Sequence, residues 1–170
     1  MAGLGSAARR YRLWIFDADG TLRRTTVPGR PCPRHSDEWE LLPGVRRTLR
    51  EVPWNSPDGP WLGVASNQDQ VGAGLIPLTT ARRLLQDLML AAAGVRLPAA
   101  ATQLCPHPLG VKCRCRKPGP AMIERILAHY GIPAGESVLV GDQATDREAA
   151  AGAGVAFIEA DDLFGWAQST

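Results

Sequence analysis

Two aspartates stand two positions apart directly after a short apolar run, in the segment DADGTL that begins at Asp17. Carboxylate oxygens are the ligands that Mg²⁺ prefers, and an ionised carboxylate can also attack phosphorus. Asp17 is therefore a candidate nucleophile and metal ligand, and Asp19 is a candidate general acid and base. Two solvated aspartates in an Asp-Gly turn have the same local pattern, so this motif alone leaves both interpretations open.

Other polar residues follow apolar runs elsewhere in the chain. Asp142, in GDQATD, could complete a metal site, and Asp146 is well placed to hold a neighbouring loop or side chain. Ser66 and Asn67 offer a hydroxyl and amide donors suited to phosphate oxygens. Lys117 precedes a predicted helix, where a cation beside the helix N-terminus favours an anion. Helix caps, turn residues and a solvated lysine are the ordinary alternatives for these positions.

Three of the four cysteines lie close together around one histidine, in the pattern CxH-x5-CxC. Three thiolates and one imidazole suit tetrahedral Zn²⁺, and four protein ligands leave no open position, so the metal would be structural. Cysteines of an apolar core fit poorly here, because the segment is rich in Pro, Gly, Lys and Arg. We therefore predict a zinc loop over residues 105–115, with the ligands Cys105, His107, Cys113 and Cys115.

The composition predicts one globular domain over residues 1–170, because 45% of the residues are hydrophobic and 21% are charged. A net charge of +2 does not require a nucleic-acid or membrane partner. No apolar stretch approaches about 18 residues, so no membrane span is expected. The first ten residues lack the apolar run of a secretory signal, and we expect a cytoplasmic, monomeric protein.

Apolar strands alternate with amphipathic helices along the chain, which predicts an α/β fold with a mainly parallel sheet covered on both faces. Polar residues just past the carboxyl ends of such strands converge on one crevice. Asp17, Ser66 and Asp142 each stand at that position. The predicted strands are 11–16, 61–65, 102–104, 137–140 and 155–158. The predicted helices begin at Pro43, after an N-cap at Thr79, at Pro118 and at Ala144, and the second and third of them end at Gly94 and Gly131.

Taken together, DxDGTL, the Ser-Asn pair, the Lys before a helix and GDxxxD resemble the haloacid dehalogenase (HAD) superfamily, in the same order and from about residue 13 to 158. The resemblance implies a three-layer Rossmann-like fold, bound Mg²⁺ and an aspartyl-phosphate on Asp17. It implies that Asp17, the carbonyl group of Asp19 and Asp142 bind the Mg²⁺. The implied catalytic residues are Asp17, Asp19, Ser66 and Lys117.

The cysteine pattern, followed by Arg-Lys-Pro, is similar to two zinc-bearing branches of HAD subfamily IIIA. These are the D,D-heptose 1,7-bisphosphate phosphatases and the histidinol-phosphate phosphatases, and the short loop together with GDQATD favours the second. The resemblance implies that Arg116 and Lys117 contact the phosphoryl group. Asn67 and Gln143 complete the predicted substrate-binding set. The pathways implied are carbohydrate metabolism or histidine biosynthesis.

The leading hypothesis is a phosphomonoesterase acting on a small sugar phosphate or amino-alcohol phosphate. A nucleic-acid 3′-phosphatase is the alternative, because Arg23, Arg24, Arg30 and Arg34 could track a phosphate backbone. A catalytically inactive zinc-stabilised scaffold is less favoured, since the four motifs are intact. Neither 17–66 nor 68–105 has room for a separate cap domain, so short loops should determine specificity.

Overall fold

The protein, a computed structural model, is described at Leu4 and over residues 8–166. The expectation that the chain lacks a secretory signal concerned the first ten residues, and most of these lie outside the described part of the chain. The strands are β1 (Leu13–Phe16), β2 (Arg23–Thr25), β3 (Trp39–Leu41), β4 (Trp61–Asn67), β5 (Thr102–Cys105), β6 (Ser137–Gly141) and β7 (Ala156–Glu159). The helices are α1 (Val45–Arg50), α2 (Asp69–Gly72), α3 (Leu78–Ala93), α4 (Ala121–Tyr130), α5 (Ala144–Ala153) and α6 (Ala160–Phe164).

Five strands form one parallel sheet in the order β5-β4-β1-β6-β7. Phe16, the last residue of β1, lies beside Val64 in β4 and Val140 in β6. The residues that follow β1, and those at the ends of β4 and β6, therefore meet at one edge of the sheet, as the strand pattern predicts. The predicted α/β fold, a three-layer HAD-like arrangement, is confirmed.

Side chains of β1 alternate between two apolar layers, as the period of a strand requires. Trp14 and Phe16 pack with α1, α3 and α6, whereas Leu13 and Ile15 pack with α4 and α5. All four side chains are fully buried. A strand buried on both faces reads as a continuous apolar run, which is why the sequence pattern identified it.

Three helix starts differ from the predicted ones. Helix α1 begins at Val45 rather than at Pro43. The N-cap of α3 is Pro77 rather than Thr79. Helix α4 begins at Ala121, three residues later than predicted, because the preceding residues form a tight turn around Gly119. A Cβ atom on Gly119 would lie 2.2 Å from the carbonyl oxygen of Arg114, so only glycine fits there. The predicted ends of α3 and α4 are confirmed, because Gly94 and Gly131 follow these helices in the left-handed conformation.

The segment between β1 and β4 contains more regular structure than predicted. Strands β2 and β3 pair antiparallel, where the sequence indicated only an irregular Arg- and Pro-rich stretch. Each strand has three residues, too few to show an alternating pattern. Within residues 8–166, neither this segment nor the one between β4 and β5 forms a separate cap domain. In the same range, no helix has both the length and the apolar character needed to cross a bilayer.

Candidate active site

A cavity of about 190 Å³ opens at the carboxyl edge of the sheet. Polar side chains that the sequence pattern selected come together in its walls. The lining residues are Asp17, Asp19, Pro31, Cys32, Ser66, Asn67, Asp69, Arg116, Lys117, Gln143, Thr145 and Asp146. A larger cavity, of about 490 Å³, lies at the opposite edge beside Tyr11 and Trp61, away from this chemistry. The smaller cavity is therefore the candidate site.

At the base of the cavity, Lys117 connects two carboxylates. We call Asp17, Lys117 and Asp146 the acid–lysine cluster. The Lys117 ammonium donates to Asp17 Oδ1 at 2.5 Å and to the Ala65 carbonyl oxygen at 2.8 Å, and it lies 2.6 Å from Asp146 Oδ1. Only 3% of Lys117 is exposed. A charge this deeply buried must be paired, and the two carboxylates pair it.

Burial dominates the electrostatics of Asp17. Desolvation raises the pKa of Asp17 to about 7, although the Lys117 ammonium opposes the shift. For Lys117, burial acts to lower the pKa, but the charges of Asp17 and Asp146 outweigh it and raise the pKa. The lysine is thus held as an ammonium ion. A cation or a positively charged donor beside Asp17 favours its ionised, nucleophilic form.

Asp19 is held by two side chains on the far side of the cavity. Arg23 Nε donates to Asp19 Oδ1 at 2.7 Å, and Gln68 Nε2 donates to Asp19 Oδ2 at 2.8 Å. Gln68 Nε2 also lies 2.8 Å from the Ser66 hydroxyl. Sequence reasoning missed this role of Gln68, and it considered Arg23 as a possible contact to a nucleic-acid backbone or as part of a solvated loop.

The interpretation of Arg23 as a nucleic-acid contact is wrong, since its side chain is fully buried. Two more of the arginines named with it are engaged by acids: Arg24 pairs with Glu40, and Arg30 pairs with Glu38 at 2.7 Å. Three of the four arginines are therefore buried or paired with acids. The pattern of charges in this segment predicted solvent exposure, but the turn after Asp19 directs Arg23 inward.

Three carboxylates converge where the sequence predicted a cation. Oxygens of Asp17, Asp142 and Asp146 all lie within 4.8 Å of one another. Burial raises the pKa of Asp142, and a hydrogen bond of 2.9 Å from the Thr21 hydroxyl opposes this shift. Gly20 has φ +93°, and a Cβ there would lie 2.4 Å from Asp142 Oδ2, so the motif needs glycine. Closely spaced, partly desolvated oxygen donors fit Mg²⁺.

The remaining predicted site residues lie at the cavity wall. Both atoms of the Asn67 amide bond to the backbone of Lys117, at 2.9 and 3.2 Å, so Asn67 holds the lysine segment. Arg116 Nη2 donates to the His107 carbonyl oxygen at 3.0 Å. Gln143 is exposed and caps α5 together with Asp146. Contact of Asn67, Arg116 and Gln143 with a substrate stays a prediction.

The predicted zinc ligands come together in space. Tetrahedral coordination by sulfur and nitrogen places ligand atoms about 3.5 to 3.8 Å apart. The Sγ atoms of Cys105, Cys113 and Cys115 lie 3.3 to 3.7 Å apart. His107 Nδ1 lies 3.5 Å from Cys105 Sγ and 3.1 Å from Cys115 Sγ. The donor set and its spacing fit one Zn²⁺.

One thiol of the cluster is poised to ionise. The backbone N–H of Arg116 donates to Cys113 Sγ at 3.4 Å, and this bond lowers the pKa of Cys113 to about 7. Burial instead raises the pKa of Cys105 to about 12. Metal ligation requires the thiolate, and Cys113 gives up its proton more readily than Cys105 does.

Comparison with known proteins places this arrangement in a family. A family model described as HAD-hydrolase-like matches residues 114–159. D-glycero-α-D-manno-heptose-1,7-bisphosphate 7-phosphatase from Mycobacterium tuberculosis is 34% identical over 153 residues, covering 85% of this chain and 75% of the relative. The D-glycero-β-D-manno-heptose-1,7-bisphosphate 7-phosphatase from Bordetella bronchiseptica is 31% identical over 146 residues, covering 85% of this chain and 78% of the relative.

A solved structure supports the same placement. The crystal structure of D,D-heptose 1,7-bisphosphate phosphatase from B. bronchiseptica, complexed with magnesium and phosphate, superposes with a TM-score of 0.70 at 30% identity. It covers 86% of this chain, which in turn covers 78% of that structure. These proteins are all named for heptose bisphosphate and do not belong to the histidinol-phosphate branch that the short loop 105–115 suggested. The chain belongs to the HAD-like hydrolase family and is a phosphatase of that family.

Proposed function

We propose that this phosphatase is a Mg²⁺-dependent phosphomonoesterase acting on a small sugar phosphate through an aspartyl-phosphate on Asp17. The acid–lysine cluster carries the proposal, because it places a nucleophilic carboxylate beside a buried ammonium at the base of a small cavity. A phosphoryl group brings negative charge that the ammonium can stabilise. The relatives named for heptose bisphosphate support the sugar class.

The proposed reaction has two steps. An oxygen of Asp17 forms a bond to phosphorus while the bond to the leaving-group oxygen breaks, and that oxygen takes a proton from the Asp19 carboxyl group. Asp19, now ionised, then accepts a proton from water, which attacks phosphorus and releases phosphate from Asp17. Both carboxyl groups return to their starting forms. Lys117 and the Ser66 hydroxyl are proposed to bind the phosphoryl oxygens.

Asp17, Asp142 and the carbonyl group of Asp19 would hold the Mg²⁺. Bound there, the ion would neutralise charge on the carboxylates and on the phosphoryl group. The structure supports this set through the convergence of Asp17 and Asp142. Asp146, the third carboxylate of the group, is 2.6 Å from the Lys117 ammonium, and we propose that it orients this lysine.

Cys105, His107, Cys113 and Cys115 are proposed to bind a structural Zn²⁺. The loop they belong to leads directly into Arg116 and Lys117, so ordering the loop orders two proposed phosphate-binding side chains. Few regular backbone hydrogen bonds stabilise residues 106–120, where the chain adopts turns rather than helix or strand. A metal that joins both ends of this loop supplies order that the backbone does not.

Within residues 8–166, short segments rather than a separate cap domain surround the cavity, and the cavity is open. We propose that residues 1–170 form a single monomeric domain and that Arg116 and Gln143 contact the part of the substrate that does not react. Differential binding of that part in the transition state would favour a sugar phosphate over a simple aryl phosphate. No observation favours the nucleic-acid alternative, since Arg23, Arg24 and Arg30 are buried or paired.

A phosphate-release assay tests the proposal. Both anomers of D-glycero-D-manno-heptose 1,7-bisphosphate should give a higher kcat/KM than histidinol phosphate and than a 3′-phosphorylated oligonucleotide, and activity should require added Mg²⁺. A higher kcat/KM for the oligonucleotide would contradict the sugar assignment. Quenching a single turnover of ³²P-labelled substrate in acid should trap label on the protein, and Asp17→Asn should abolish the trapped label.

A further inference from the structure

Arg23 is the most completely buried cation near the cavity, and the proposed reaction does not use it. Its side chain is 0% exposed, whereas that of Asp19 is 13% exposed. Arg23 Nε lies 2.7 Å from Asp19 Oδ1, and Nη2 lies 3.3 Å from Asp19 Oδ2. A two-pronged contact of this kind fixes the plane of a carboxylate as well as its position.

The backbone turn that brings Arg23 to Asp19 is itself well determined. The N–H of Arg23 donates to the Ala18 carbonyl oxygen at 3.1 Å, and the N–H of Gly20 donates to the Arg23 carbonyl oxygen at 2.8 Å. Arg23 Nη1 also donates to the Leu84 carbonyl oxygen at 3.1 Å, and the guanidinium lies 5.7 Å from the Trp39 ring. The guanidinium is thus anchored to helix α3 and to strand β3 independently of Asp19.

The other side of the Asp19 carboxylate is bonded by Gln68, whose orientation is also fixed. Gln70 Nε2 donates to Gln68 Oε1 at 3.0 Å and to the Pro33 carbonyl oxygen at 3.0 Å. Because Gln68 Oε1 accepts from Gln70, the amide nitrogen of Gln68 must face Asp19 and Ser66. Gln68 and Gln70 are both buried, with 1% and 6% exposure, so no solvent competes for these bonds.

We propose that Arg23, assisted by Gln68, is a positioning residue that holds Asp19 for proton transfer; this inference rests on the acid and base role proposed for Asp19. An ionised carboxylate offers about four acceptor positions, and Arg23 and Gln68 occupy three of them. At least one position stays available for the proton that Asp19 gives to the leaving group and later takes from water. Arg23 acts through Asp19 and does not touch the reacting phosphorus.

Leaving-group dependence separates positioning from general structural support. Phenyl phosphate and 4-nitrophenyl phosphate are similar in size, but phenolate is the stronger base and depends on a proton from the acid. Arg23→Met should lower kcat/KM for phenyl phosphate by about 100-fold, the lower end of what a positioned acid contributes, and that for 4-nitrophenyl phosphate by less than about threefold. An equal loss on both substrates would overturn the inference.

A double-mutant cycle tests whether the effect runs through Asp19. In an Asp19→Asn background, Arg23→Met should change kcat/KM for phenyl phosphate by less than about twofold, because contacting residues that act as a unit are not additive. If Arg23→Met lowers kcat/KM for phenyl phosphate as much in the Asp19→Asn protein as in the wild type, Arg23 does not act by positioning Asp19. If Asp19→Asn alone leaves both substrates unaffected, the proposed role of Asp19 fails, which is a separate result from a failure of Arg23.

Two further variants keep the test valid if Arg23→Met folds poorly. Arg23→Lys retains the charge but lacks the fork, so it should show an intermediate leaving-group dependence. Arg24→Met is the matched control: this neighbour in β2 is 63% exposed and pairs with Glu40 on the surface. It should leave the ratio of the two kcat/KM values unchanged. Wild-type behaviour of Arg23→Lys on both substrates, or an altered ratio in Arg24→Met, would count against the proposal.

Discussion

The acid–lysine cluster and the loop 105–115 meet at Lys117 but are built differently. Asp17, Lys117 and Asp146 are each at most 7% exposed. Asp17 follows strand β1 and Asp146 lies in helix α5, whereas Lys117 lies in a turn whose backbone is held by Asn67 at the end of β4. In the loop, by contrast, Leu109 is 75% exposed and Val111 is 45% exposed. We therefore expect the geometry of the acid–lysine cluster to depend mainly on the core, and that of the adjoining loop to depend on its four proposed zinc ligands.

The largest expected effect comes from a change in the acid–lysine cluster. Asp17→Asn removes the attacking negative charge but keeps the shape of the side chain. Since nucleophile knockouts remove most of an enzyme's rate enhancement, we expect kcat to fall by about 10⁴-fold or more. Steady-state phosphate release measures this, with near-ultraviolet circular dichroism to verify the fold. Near-native turnover at saturating Mg²⁺ would refute the assignment of the nucleophile.

A change in the loop 105–115 should alter the position of Lys117 and leave the reacting groups themselves unchanged. Cys113→Ser removes one proposed zinc ligand, so the loop should loosen and Lys117 should be less well placed. Because a misplacement of about 1 Å can cost about 100-fold, we expect a loss of that order in kcat/KM. Native mass spectrometry should show one zinc in the wild type and a reduced zinc content in the variant.

Hydrogen exchange provides the second readout for the loop. Exchange should increase in residues 105–118 of Cys113→Ser while β1 and β6 stay protected, because the sheet does not depend on the loop. Cys32→Ser is the control, since Cys32 lies outside the ligand cluster and should leave zinc content unchanged. Wild-type protein purified without chelator that contains no zinc would rule out the metal.

A smaller effect is expected at the proposed Mg²⁺ site beside the acid–lysine cluster. Thr21 donates to Asp142 Oδ1 at 2.9 Å and so orients a proposed Mg²⁺ ligand without being one. Thr21→Val removes the donor at nearly constant volume. Removing a residue that hydrogen-bonds to a metal ligand typically lowers metal affinity by about 10- to 100-fold. The Mg²⁺ concentration for half-maximal activity should therefore rise by about tenfold. Thr21→Ser retains the hydroxyl and should restore the wild-type value.

The smallest expected effect concerns stability without added Mg²⁺. The pKa of Asp17 rises from its ordinary value of 3.8 to about 7 in the folded chain. Between these values the folded chain retains a proton that the unfolded chain releases, so the unfolding free energy decreases as the pH rises. Asp17→Asn should reduce this slope, and each kcal/mol corresponds to about 2 to 4 °C in Tm at this chain length.

Thermal melts from pH 4 to pH 8 check this expectation. The wild-type Tm should decline across that range, and the Asp17→Asn curve should be flatter and lie above it near pH 8. Asp142, whose pKa is also raised by burial, accounts for part of the slope that remains. Parallel curves for the two proteins would show that Asp17 does not titrate in this window.

Much of this protein was predictable from its sequence because the signals are local. Apolar runs identified the five strands of the sheet, and the rule that parallel strands end at one edge brought Asp17, Ser66 and Asp142 together. The cysteine pattern predicted a ligand cluster because its residues are close along the chain. The helix ends at Gly94 and Gly131 were predictable because glycine alone adopts the left-handed conformation readily.

Tertiary structure alone decided which charges are buried and what pairs with them. Lys117 contacts Asp17 across 100 positions of sequence, and the Asn67 amide holds the Lys117 backbone across 50. Arg23 resembled its exposed neighbours in sequence, but the packing of α3 and β3 desolvates it and leaves Asp19 as its partner. Desolvation depends on all the elements that surround a group, so neither residue type nor spacing along the chain reveals it.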